Sequence, residues 1–571
     1  MPTLDWIGKP AVIRHHAEVP FHLLKEEPEL SCGGEAGAGN LIVQGDNLKA
    51  LKALLPHYGG QVKCIYIDPP YNTGNEGWVY NDNVNSPEMK RWLESVVGKE
   101  GEDLTRHDKW LCMMYPRLML LKRFLRDDGA IFVSLDDNEI GPLRLIMDEI
   151  FGQANFVGTL IWQKSYAPRN NVPHLSASHE YVVCYSRSIA RLPLFRLPPS
   201  DEMRSRYKNP DADPRGDWKP SDLSVSLVSG QRGAQYQKTG KGANIYPITT
   251  PNGRTVNPPN GRCWVLSLER FNELVADNRI WWGTAGNSIP QLKRFFTETQ
   301  ASMVPETIWE YNVVGHMQEA SQTLKDLFAD NRDATFPTPK TIGLIQRILQ
   351  IATNPGDLIL DSFAGSGTTG HAVLKMNFDE RSESDSRQQK IDSEGGTELS
   401  QANSLPPRRF ILVEMDENIA QNITAERVRR VSQGYANAKG EEVPGIGSGF
   451  RFAKLGKTLF DETGAIRDDV KFRELAEFVY FHHTGSPIPQ GWKKSPLLGI
   501  VDGRAIYLLY NGILADRSID GGNVLTGPVL AELPAHDGPK TIYAAACRLG
   551  PSRLERERIQ FKQTPYALRV D

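Results

Sequence analysis

The segment Asp68-Pro69-Pro70-Tyr71 contains the residue types that most directly suggest chemistry. It follows the apolar run Val62 to Ile67, and open α/β sheets bind ligands just beyond the carboxyl ends of their strands. An exocyclic amine of a nucleobase is a poor nucleophile, because its lone pair is delocalised into the ring. The Asp68 carboxylate and a Pro69 carbonyl held rigid by two prolines could accept both of its N–H protons, and Tyr71 could stack on an extruded base. These residues predict a site that activates such an amine for methylation.

A second constellation runs from Asp361 to Gly370, where a predicted strand ends, passes through a glycine turn and enters a helix. Gly365 and Gly367 would let the backbone approach a ligand closely, and the next predicted strand ends at the acidic Glu414, which suits ribose hydroxyls. The spacing is GxG, and neither GxGxxG nor a phosphate-binding GxxxxGK[ST] occurs. A ligand with adenosine and no phosphate fits better than a dinucleotide. Taken alone, the turn is equally consistent with a simple helix entry.

The elements that must position these residues alternate between strand and helix, which predicts a parallel sheet with crossover helices. The rhythm covers residues 40 to 160 and returns after residue 331, so the fold is predicted to be split by an irregular insert. We expect a catalytic half at 1–160, the insert at 161–330, a cofactor half at 331–435 and a small α+β domain at 436–571. Within the cofactor half, the polar stretch Glu380 to Pro407 is expected to be a disordered loop.

Composition limits the class of protein. The chain has 571 residues, 40% of them hydrophobic, and no apolar run long enough to span a membrane. With no apolar leader at the start, a cytoplasmic location is expected. The six cysteines form no cluster with metal-ligand spacing, so no metal site is predicted. Net charge is −3, yet residues 161 to 300 hold 19 Lys and Arg against 11 Asp and Glu, a surplus that suits nucleic acid or a solvated loop region.

The order of these segments over residues 40 to 432 resembles the β class of amino-DNA methyltransferases. That resemblance implies a circularly permuted Rossmann-like fold that uses S-adenosylmethionine, with a target-recognition domain between its halves. It also implies that Asp68, Pro69, Pro70 and Tyr71 are catalytic. The cofactor-binding residues that it implies are Asp361, Phe363, Gly365 and Gly367 in the turn, Glu414 at the ribose, Asp46 of Gly45-Asp46-Asn47 near the adenine, and Thr338 and Lys340 of Thr338-Pro339-Lys340 at the methionine end.

Three further stretches are similar to the Mod subunits of type III restriction-modification systems: Tyr207 to Gly216, Phe336 to Lys340 and Phe561 to Tyr566. The resemblance implies a prokaryotic, nucleoid-associated enzyme that flips and methylates adenine N6 at a specific sequence in double-stranded DNA. It also implies a possible homodimer and a Res-like helicase-nuclease partner, as part of a restriction or phage-defence system.

Two other functions stay open from the sequence. Cytosine N4 methylation uses the same amine geometry, although Ser is common at the first position of the tetrapeptide in those enzymes. A DNA-specificity or scaffold subunit with an inactive cofactor fold is a third interpretation. Methylation of cytosine C5 is disfavoured, because it needs a nucleophilic Cys and no Pro-Cys dipeptide occurs. Trp162 is interpreted as a core residue, and His179-Glu180 as a structural pair.

Overall fold

The computed structural model describes residues 4–37, 39–73, 106–168, 172, 174–199, 201–227, 244–298, 303–331, 334–393, 406–489, 491–510, 513–514 and 523–568. The chain forms two compact units, a larger one from residues 1–194 and 306–571 and a smaller one from Phe195 to Pro305. The smaller unit contains fewer residues than the predicted insert, which spans 161–330. Among the described residues, no helix has both the length and the apolar character that a membrane crossing requires.

The strands are, in chain order, β1 (His22–Glu26), β2 (Leu41–Gln44), β3 (Val62–Ile67), β4 (Leu125–Leu135), β5 (Phe156–Gln163), β6 (His179–Ser186), β7 (Trp218–Asp222), β8 (Ser224–Ser226), β9 (Ile248–Thr249), β10 (Thr255–Val256), β11 (Arg262–Trp264), β12 (Ile280–Trp281), β13 (Gln291–Phe295), β14 (Ile308–Trp309), β15 (Leu358–Asp361), β16 (Arg409–Glu414), β17 (Gly434–Ala436), β18 (Glu442–Pro444), β19 (Arg451–Thr458), β20 (Leu497–Val501), β21 (Arg504–Leu508), β22 (Val524–Leu525), β23 (Lys540–Ala544), β24 (Ala546–Cys547) and β25 (Ile559–Gln563).

The α-helices are α1 (Lys9–Val12), α2 (His15–Glu18), α3 (Gly34–Gly37), α4 (Asn47–Tyr58), α5 (Arg106–Phe124), α6 (Ile140–Phe151), α7 (Asp201–Ser205), α8 (Leu268–Ala276), α9 (Tyr311–Val314), α10 (Met317–Leu327), α11 (Ile342–Ala352), α12 (Thr368–Ser393), α13 (Glu417–Ile419), α14 (Glu426–Gln433), α15 (Phe472–Thr484), α16 (Gly527–Glu532) and α17 (Pro551–Arg556). A π-helical turn at Ala420–Ala425 joins α13 to α14 without a break.

One ten-stranded sheet organises the larger unit, in the order β1-β19-β2-β16-β15-β3-β4-β6-β5-β14. The six strands from β19 to β4 run parallel to one another. All six residues of β3 are buried, as expected for a central strand covered by helices on both faces. Strands β15 and β16, which come late in the chain, lie between the early strands β2 and β3. This confirms the predicted permuted, Rossmann-like α/β fold.

The predicted loop over Glu380 to Pro407 is wrong for its first half, because helix α12 continues through residues 380–393. The Ser382 hydroxyl donates to a carbonyl one turn back at 3.0 Å, and Arg408 pairs with Glu380 at 2.6 Å. Polar composition shows only that a segment cannot form a core of its own. Each residue added to a helix that has already formed gains one backbone hydrogen bond and needs no new nucleus. A polar segment can therefore continue such a helix. Residues 394–405 lie outside the described residues.

The C-terminal part of the chain is attached to the ten-stranded sheet by its own secondary structure. Strand β19 adds to that sheet beside β2, although it lies beyond the predicted domain boundary at 436. A separate four-stranded sheet, β20-β21-β23-β25, packs with α15 around an apolar cluster. Phe481, on α15, is 4% exposed and belongs to the core of the large sheet rather than to that cluster.

Candidate active site at the carboxyl edge of the sheet

Four of the acidic residues singled out in the sequence follow or end four neighbouring parallel strands. Asp46 lies just after β2, Glu414 ends β16, Asp361 ends β15 and Asp68 follows β3. Because these strands are adjacent and parallel, the four carboxylates share one edge of the sheet. The two predicted constellations, nearly 300 residues apart in sequence, therefore meet at a single site.

The Asp68 carboxylate is engaged on both oxygens. Its Oδ1 accepts the Tyr71 hydroxyl at 2.9 Å, and its Oδ2 accepts the Lys340 ammonium at 2.7 Å. Its side chain is 22% exposed. Burial raises the pKa of Asp68, and the Lys340 ammonium partly opposes that rise. The Tyr71 and Lys340 donors thus take two of the roughly four lone-pair sites that the carboxylate oxygens offer.

A second buried carboxylate, Glu180 on β6, completes this cluster. Its Oε2 accepts the same Tyr71 hydroxyl at 3.0 Å and lies 3.5 Å from Lys340 Nζ, while its Oε1 accepts Lys164 Nζ at 3.0 Å. Burial would raise the pKa of Glu180, but the ammonium groups of Lys340 and Lys164 lower it below its usual value. The interpretation of His179-Glu180 as structural missed this contact. The sequence did contain one indication of this contact, because Glu180 is a carboxylate at the start of an otherwise apolar strand segment that runs to Tyr185.

The backbone of the tetrapeptide is fixed from both sides. Trp110 Nε1 donates to the Pro70 carbonyl at 2.7 Å, which leaves the Pro69 carbonyl as the other backbone acceptor of the pair. Asn72, the next residue, is 1% exposed with a left-handed φ of 57°, and its side-chain amide donates to Glu139. A non-glycine residue in this conformation is uncommon and persists only where its surroundings fix it. The chain therefore turns sharply after Tyr71.

The Tyr71 ring has one face occupied by a cation, because Lys340 Nζ lies 4.9 Å from its centroid. Burial and the two neighbouring carboxylates raise the pKa of Tyr71, so its hydroxyl remains a proton donor at neutral pH. The predicted stacking role of Tyr71 would use the ring face that Lys340 does not cover.

The glycine turn is organised by Asp361 and Glu414. Asp361 accepts the Phe363 amide at 3.0 Å and the Thr369 hydroxyl at 2.6 Å, and Glu414 accepts the Gly365 amide at 2.9 Å. Burial raises the pKa of Asp361 to about 7. Both carboxylates thus shape the loop, and Phe363 packs in the core with 8% exposure.

The two glycines of the turn are required by its backbone. Gly365 has φ of +50° and Gly367 has φ of +75°, a region that L side chains rarely adopt. A Cβ on Gly367 would lie 3.1 Å from the Thr424 carbonyl. The Thr424 hydroxyl donates to the Gly365 carbonyl at 2.6 Å, so the π-helical turn that contains Thr424 holds the loop from outside.

Asp46 caps α4 and connects it to the same edge. Its side chain accepts the Lys49 amide at 3.0 Å and lies 3.2 Å from Arg117 Nη2. The neighbouring Asn47 side chain donates to the Ser362 carbonyl at 3.3 Å, which ties α4 to the residue after Asp361. Predicted at the adenine end of the cofactor, Asp46 does lie at this edge.

Lys340 is the residue that joins the two halves of the site. Its ammonium pairs with Asp68, while its carbonyl accepts the Thr368 hydroxyl at 3.3 Å at the start of α12. Thr338, predicted with it, is half-buried two residues earlier. Trp162 is fully buried and donates to the Gly315 carbonyl at 3.0 Å, which confirms its interpretation as a core residue.

Residues 62–426 match the family model described as DNA methylase. The chain therefore belongs to the DNA methylase family. Among curated relatives it is 34% identical to the StyLTI Mod subunit, a type III restriction-modification enzyme of Salmonella typhimurium, over 74% of this chain and 60% of that protein. It is 29% identical to the EcoP15I Mod subunit of Escherichia coli, over 66% and 62%. The chain thus spans roughly three-fifths of the length of these relatives.

Solved structures that match this chain include a putative DNA modification methylase from Thermus thermophilus complexed with S-adenosyl-L-methionine, at 13% identity and a TM-score of 0.30, over 73% of this chain and 99% of that one. The cytosine-N4-specific PvuII DNA methyltransferase also matches, at 12% identity and a TM-score of 0.33, over 70% and 90%.

Proposed function

We propose that this chain transfers a methyl group from S-adenosylmethionine to adenine N6 at a specific sequence in double-stranded DNA. The observation that carries the proposal is the meeting of the Asp68 carboxylate with the Asp361 to Gly367 turn at one edge of the sheet. Membership of the DNA methylase family supports the same reaction.

The residues around the turn fit S-adenosylmethionine. They offer carboxylates, hydroxyls and a glycine backbone with no side chain in the way of a ligand. Such groups suit a ligand built from an adenosine and an amino acid. The Ser362 hydroxyl is buried and has no hydrogen-bond partner among the described residues, so a polar group could be bound there. Asp46, Glu414, Gly365, Gly367 and Lys340 would hold the cofactor.

The protein's contribution is positioning and polarisation, because bound S-adenosylmethionine supplies a methyl group already activated by its cationic sulfur. Asp68 and the Pro69 carbonyl would accept the two N–H groups of the flipped adenine, which favours a more nucleophilic nitrogen. Tyr71 would support the base by stacking, and the buried walls around Glu180 would exclude water. No covalent enzyme intermediate is needed.

The relatives' names support a proposal about the biological setting. We propose that the protein is the modification subunit of a type III-like system in the bacterial cytoplasm, with a helicase-nuclease partner and a second copy of itself on DNA. The basic stretch at residues 161–300 would contribute phosphate contacts for duplex binding.

The test is methylation of duplex DNA by the purified chain, followed by nucleoside mass spectrometry for N6-methyladenine and N4-methylcytosine. Asp68→Ala is expected to lower the turnover rate at least roughly a hundred-fold, with S-adenosylmethionine affinity within about three-fold by calorimetry. Asp128→Ala is the matched control, since Asp128 pairs with Lys63 at the opposite end of β3.

The outcomes separate the three functions considered. N6-methyladenine lost in Asp68→Ala and kept in Asp128→Ala supports the proposal. N4-methylcytosine would assign the enzyme to the other base. DNA binding without any methylation or cofactor binding, in the presence of partner proteins, would leave the scaffold interpretation.

A further inference from the structure

The two donors that engage Asp68 are shared with Glu180. The Tyr71 hydroxyl lies 2.9 Å from Asp68 Oδ1 and 3.0 Å from Glu180 Oε2. The Lys340 ammonium lies 2.7 Å from Asp68 Oδ2 and 3.5 Å from the same Glu180 oxygen. A hydroxyl has only one proton to donate, so Tyr71 can satisfy one carboxylate fully at any moment. Tyr71 therefore has two acceptors at nearly equal distance, and Lys340 has a second acceptor 0.8 Å farther away than its first.

This sharing bears directly on how Asp68 could bind a substrate amine. In the structure both of its oxygens accept protein donors, and an amine that enters must compete with them. Releasing a buried ammonium with no other acceptor would be costly, because a buried charge without a partner has lost its solvation and gained no compensating interaction. Glu180 removes that cost, since Lys340 would need to move less than about 1 Å to reach ordinary hydrogen-bond distance from it.

We propose that Glu180 is a positioning residue that accepts the hydrogen bonds of the Tyr71 hydroxyl and the Lys340 ammonium when the exocyclic amine binds Asp68. The inference rests on the proposed methyl transfer and specifies how its acceptor is made available. Glu180 holds no contact with the amine itself; it acts through the two donors. The proton stays on the Tyr71 oxygen and the ammonium stays on Lys340. The exchange therefore changes their hydrogen-bond partners, and no covalent bond forms or breaks.

The surroundings of Glu180 are built to keep it charged and fixed. Lys164 holds its other oxygen at 3.0 Å, so two carboxylates and two ammonium groups balance in one cluster. Its side chain is 4% exposed, and its strand partner across β5 is the fully buried Trp162. A carboxylate held in this way can accept donors without moving, which preorganisation requires.

The experiment compares Glu180→Gln and Glu180→Asp with wild type in steady-state methylation. Glutamine keeps the shape and loses the charge, and one end of its amide can only donate. We expect the kcat of Glu180→Gln to fall roughly 10- to 100-fold, with KM for DNA and for cofactor within about three-fold. Aspartate keeps the charge on a shorter arm, so Glu180→Asp should lie between the two.

The matched control is Glu149→Gln, because Glu149 also accepts a lysine and a tyrosine. Its Oε2 pairs with Lys9 at 2.8 Å and its Oε1 accepts the Tyr115 hydroxyl at 3.0 Å, on helix α6 away from the active-site edge. If the role of Glu180 were purely structural, the two glutamine variants should change kcat to the same extent. The proposal predicts wild-type kcat for Glu149→Gln alone.

A pH profile gives a readout that general destabilisation would not reproduce. The charged and titratable groups that face Asp68 are Lys340, Glu180, Tyr71, Tyr66 and Asp361. The negative charge of Glu180 raises the pKa of Asp68, so its removal should move the acid limb of the kcat profile to lower pH. Glu180→Asp should leave that limb near its wild-type position.

The outcomes are decisive for either part. A wild-type protein that methylates nothing refutes the proposed function. A methylating wild type with an equally active Glu180→Gln, or with an acid limb that stays in place, refutes only the role of Glu180. If Glu180→Gln does not fold, Glu180→Asp decides, since wild-type kcat in that variant would contradict the proposal.

Discussion

At the scale of single residues, the pKa of Asp68 depends on opposing neighbours. Burial and the charge of Glu180 raise it, while the ammonium of Lys340 lowers it. Lys340 is itself fixed by this balance, because burial would lower its pKa and the two carboxylates raise it. Removal of the Lys340 charge and removal of the Glu180 charge should therefore move the acid limb of the activity profile in opposite directions.

Lys340→Met tests the cationic side. Removing the ammonium should raise the pKa of Asp68, so that less of it is ionised at neutral pH and the acid limb moves to higher pH. We expect kcat at pH 7 and saturating cofactor to fall roughly 10- to 100-fold, with partial recovery toward pH 9. The measurement is the kcat profile from pH 5 to 9.

Lys63→Met serves as its control, since Lys63 is 4% exposed and pairs with Asp128 of β4 at 3.0 Å, at the end of β3 opposite to Asp68. It should lose stability and keep the wild-type profile. An unmoved acid limb in Lys340→Met would contradict the assigned influence of Lys340 on Asp68.

Asp361→Asn tests the carboxylate under the glycine turn. Its pKa of about 7 means that the native state binds a proton more tightly than the unfolded chain does. The stability that follows is present below pH 4 and is lost as pH rises through about 7. Asparagine has no such loss, so the free-energy cost of Asp361→Asn should shrink from pH 5 to pH 8, by roughly 3 kcal/mol at most. Urea unfolding at both pH values measures this, and an equal cost at both would contradict the raised pKa.

At the scale of secondary structure, the glycine turn depends on a helix that is not part of it. The π-helical turn Ala420–Ala425 brings the Thr424 hydroxyl to the Gly365 carbonyl, and Arg427 on the next helical turn donates to the Ser366 carbonyl at 3.2 Å. The loop therefore has backbone groups fixed from α12 on one side and from the helix after β16 on the other. Cofactor affinity should be sensitive to any displacement between them.

Gly367→Ala should displace the turn. The alanine backbone would have to adopt a left-handed conformation, and its Cβ would lie 3.1 Å from the Thr424 carbonyl. We expect S-adenosylmethionine affinity to fall roughly ten-fold or more and unfolding free energy to fall by about 1–3 kcal/mol. Calorimetric titration and urea unfolding measure the two effects.

Gly440→Ala is its matched control. Gly440 has φ of +77°, almost the same as Gly367, but a Cβ there meets nothing within 4 Å. It should show the conformational cost in stability and keep full cofactor affinity. Equal affinities in the two variants would mean that contact with Thr424 does not control the turn.

At the scale of the whole molecule, the C-terminal part is anchored to the methylase core. Phe481 on α15 contributes to the core of the large sheet, and its ring lies 5.4 Å from the Arg123 guanidinium on α5. His57 on α4 and Glu477 on α15 lie 3.5 Å apart in the same interface. Stability of the catalytic fold should thus include contacts from residues beyond the family match, which ends at residue 426.

Phe481→Ala tests this connection. Loss of a buried phenylalanine costs about 3–5 kcal/mol, and here the loss should appear in the urea unfolding of the methylase sheet. Phe561 is only half-buried, against a second apolar cluster of the C-terminal sheet that includes Leu509 and Ile542, so Phe561→Ala should cost less. An unchanged unfolding free energy for Phe481→Ala would mean that α15 does not stabilise the methylase core.

The sequence by itself determined the strands, their acidic ends and the tetrapeptide, because these depend on local signals. The strand at Val62–Ile67 is predicted from its continuous apolar run and confirmed, and helices such as Asn47–Tyr58 follow from periodic leucines. Aspartate at a strand end, proline pairs and glycine turns are also readable from neighbours alone.

Only the tertiary structure decided which strands are adjacent, that Glu180 approaches Tyr71 from 109 residues away, and that Lys340 joins the two halves. Pairing in a parallel sheet and the packing of buried charges depend on contacts between distant segments, and no local pattern specifies them. The helix that continues to Ser393 depends likewise on a packed start that composition does not reveal.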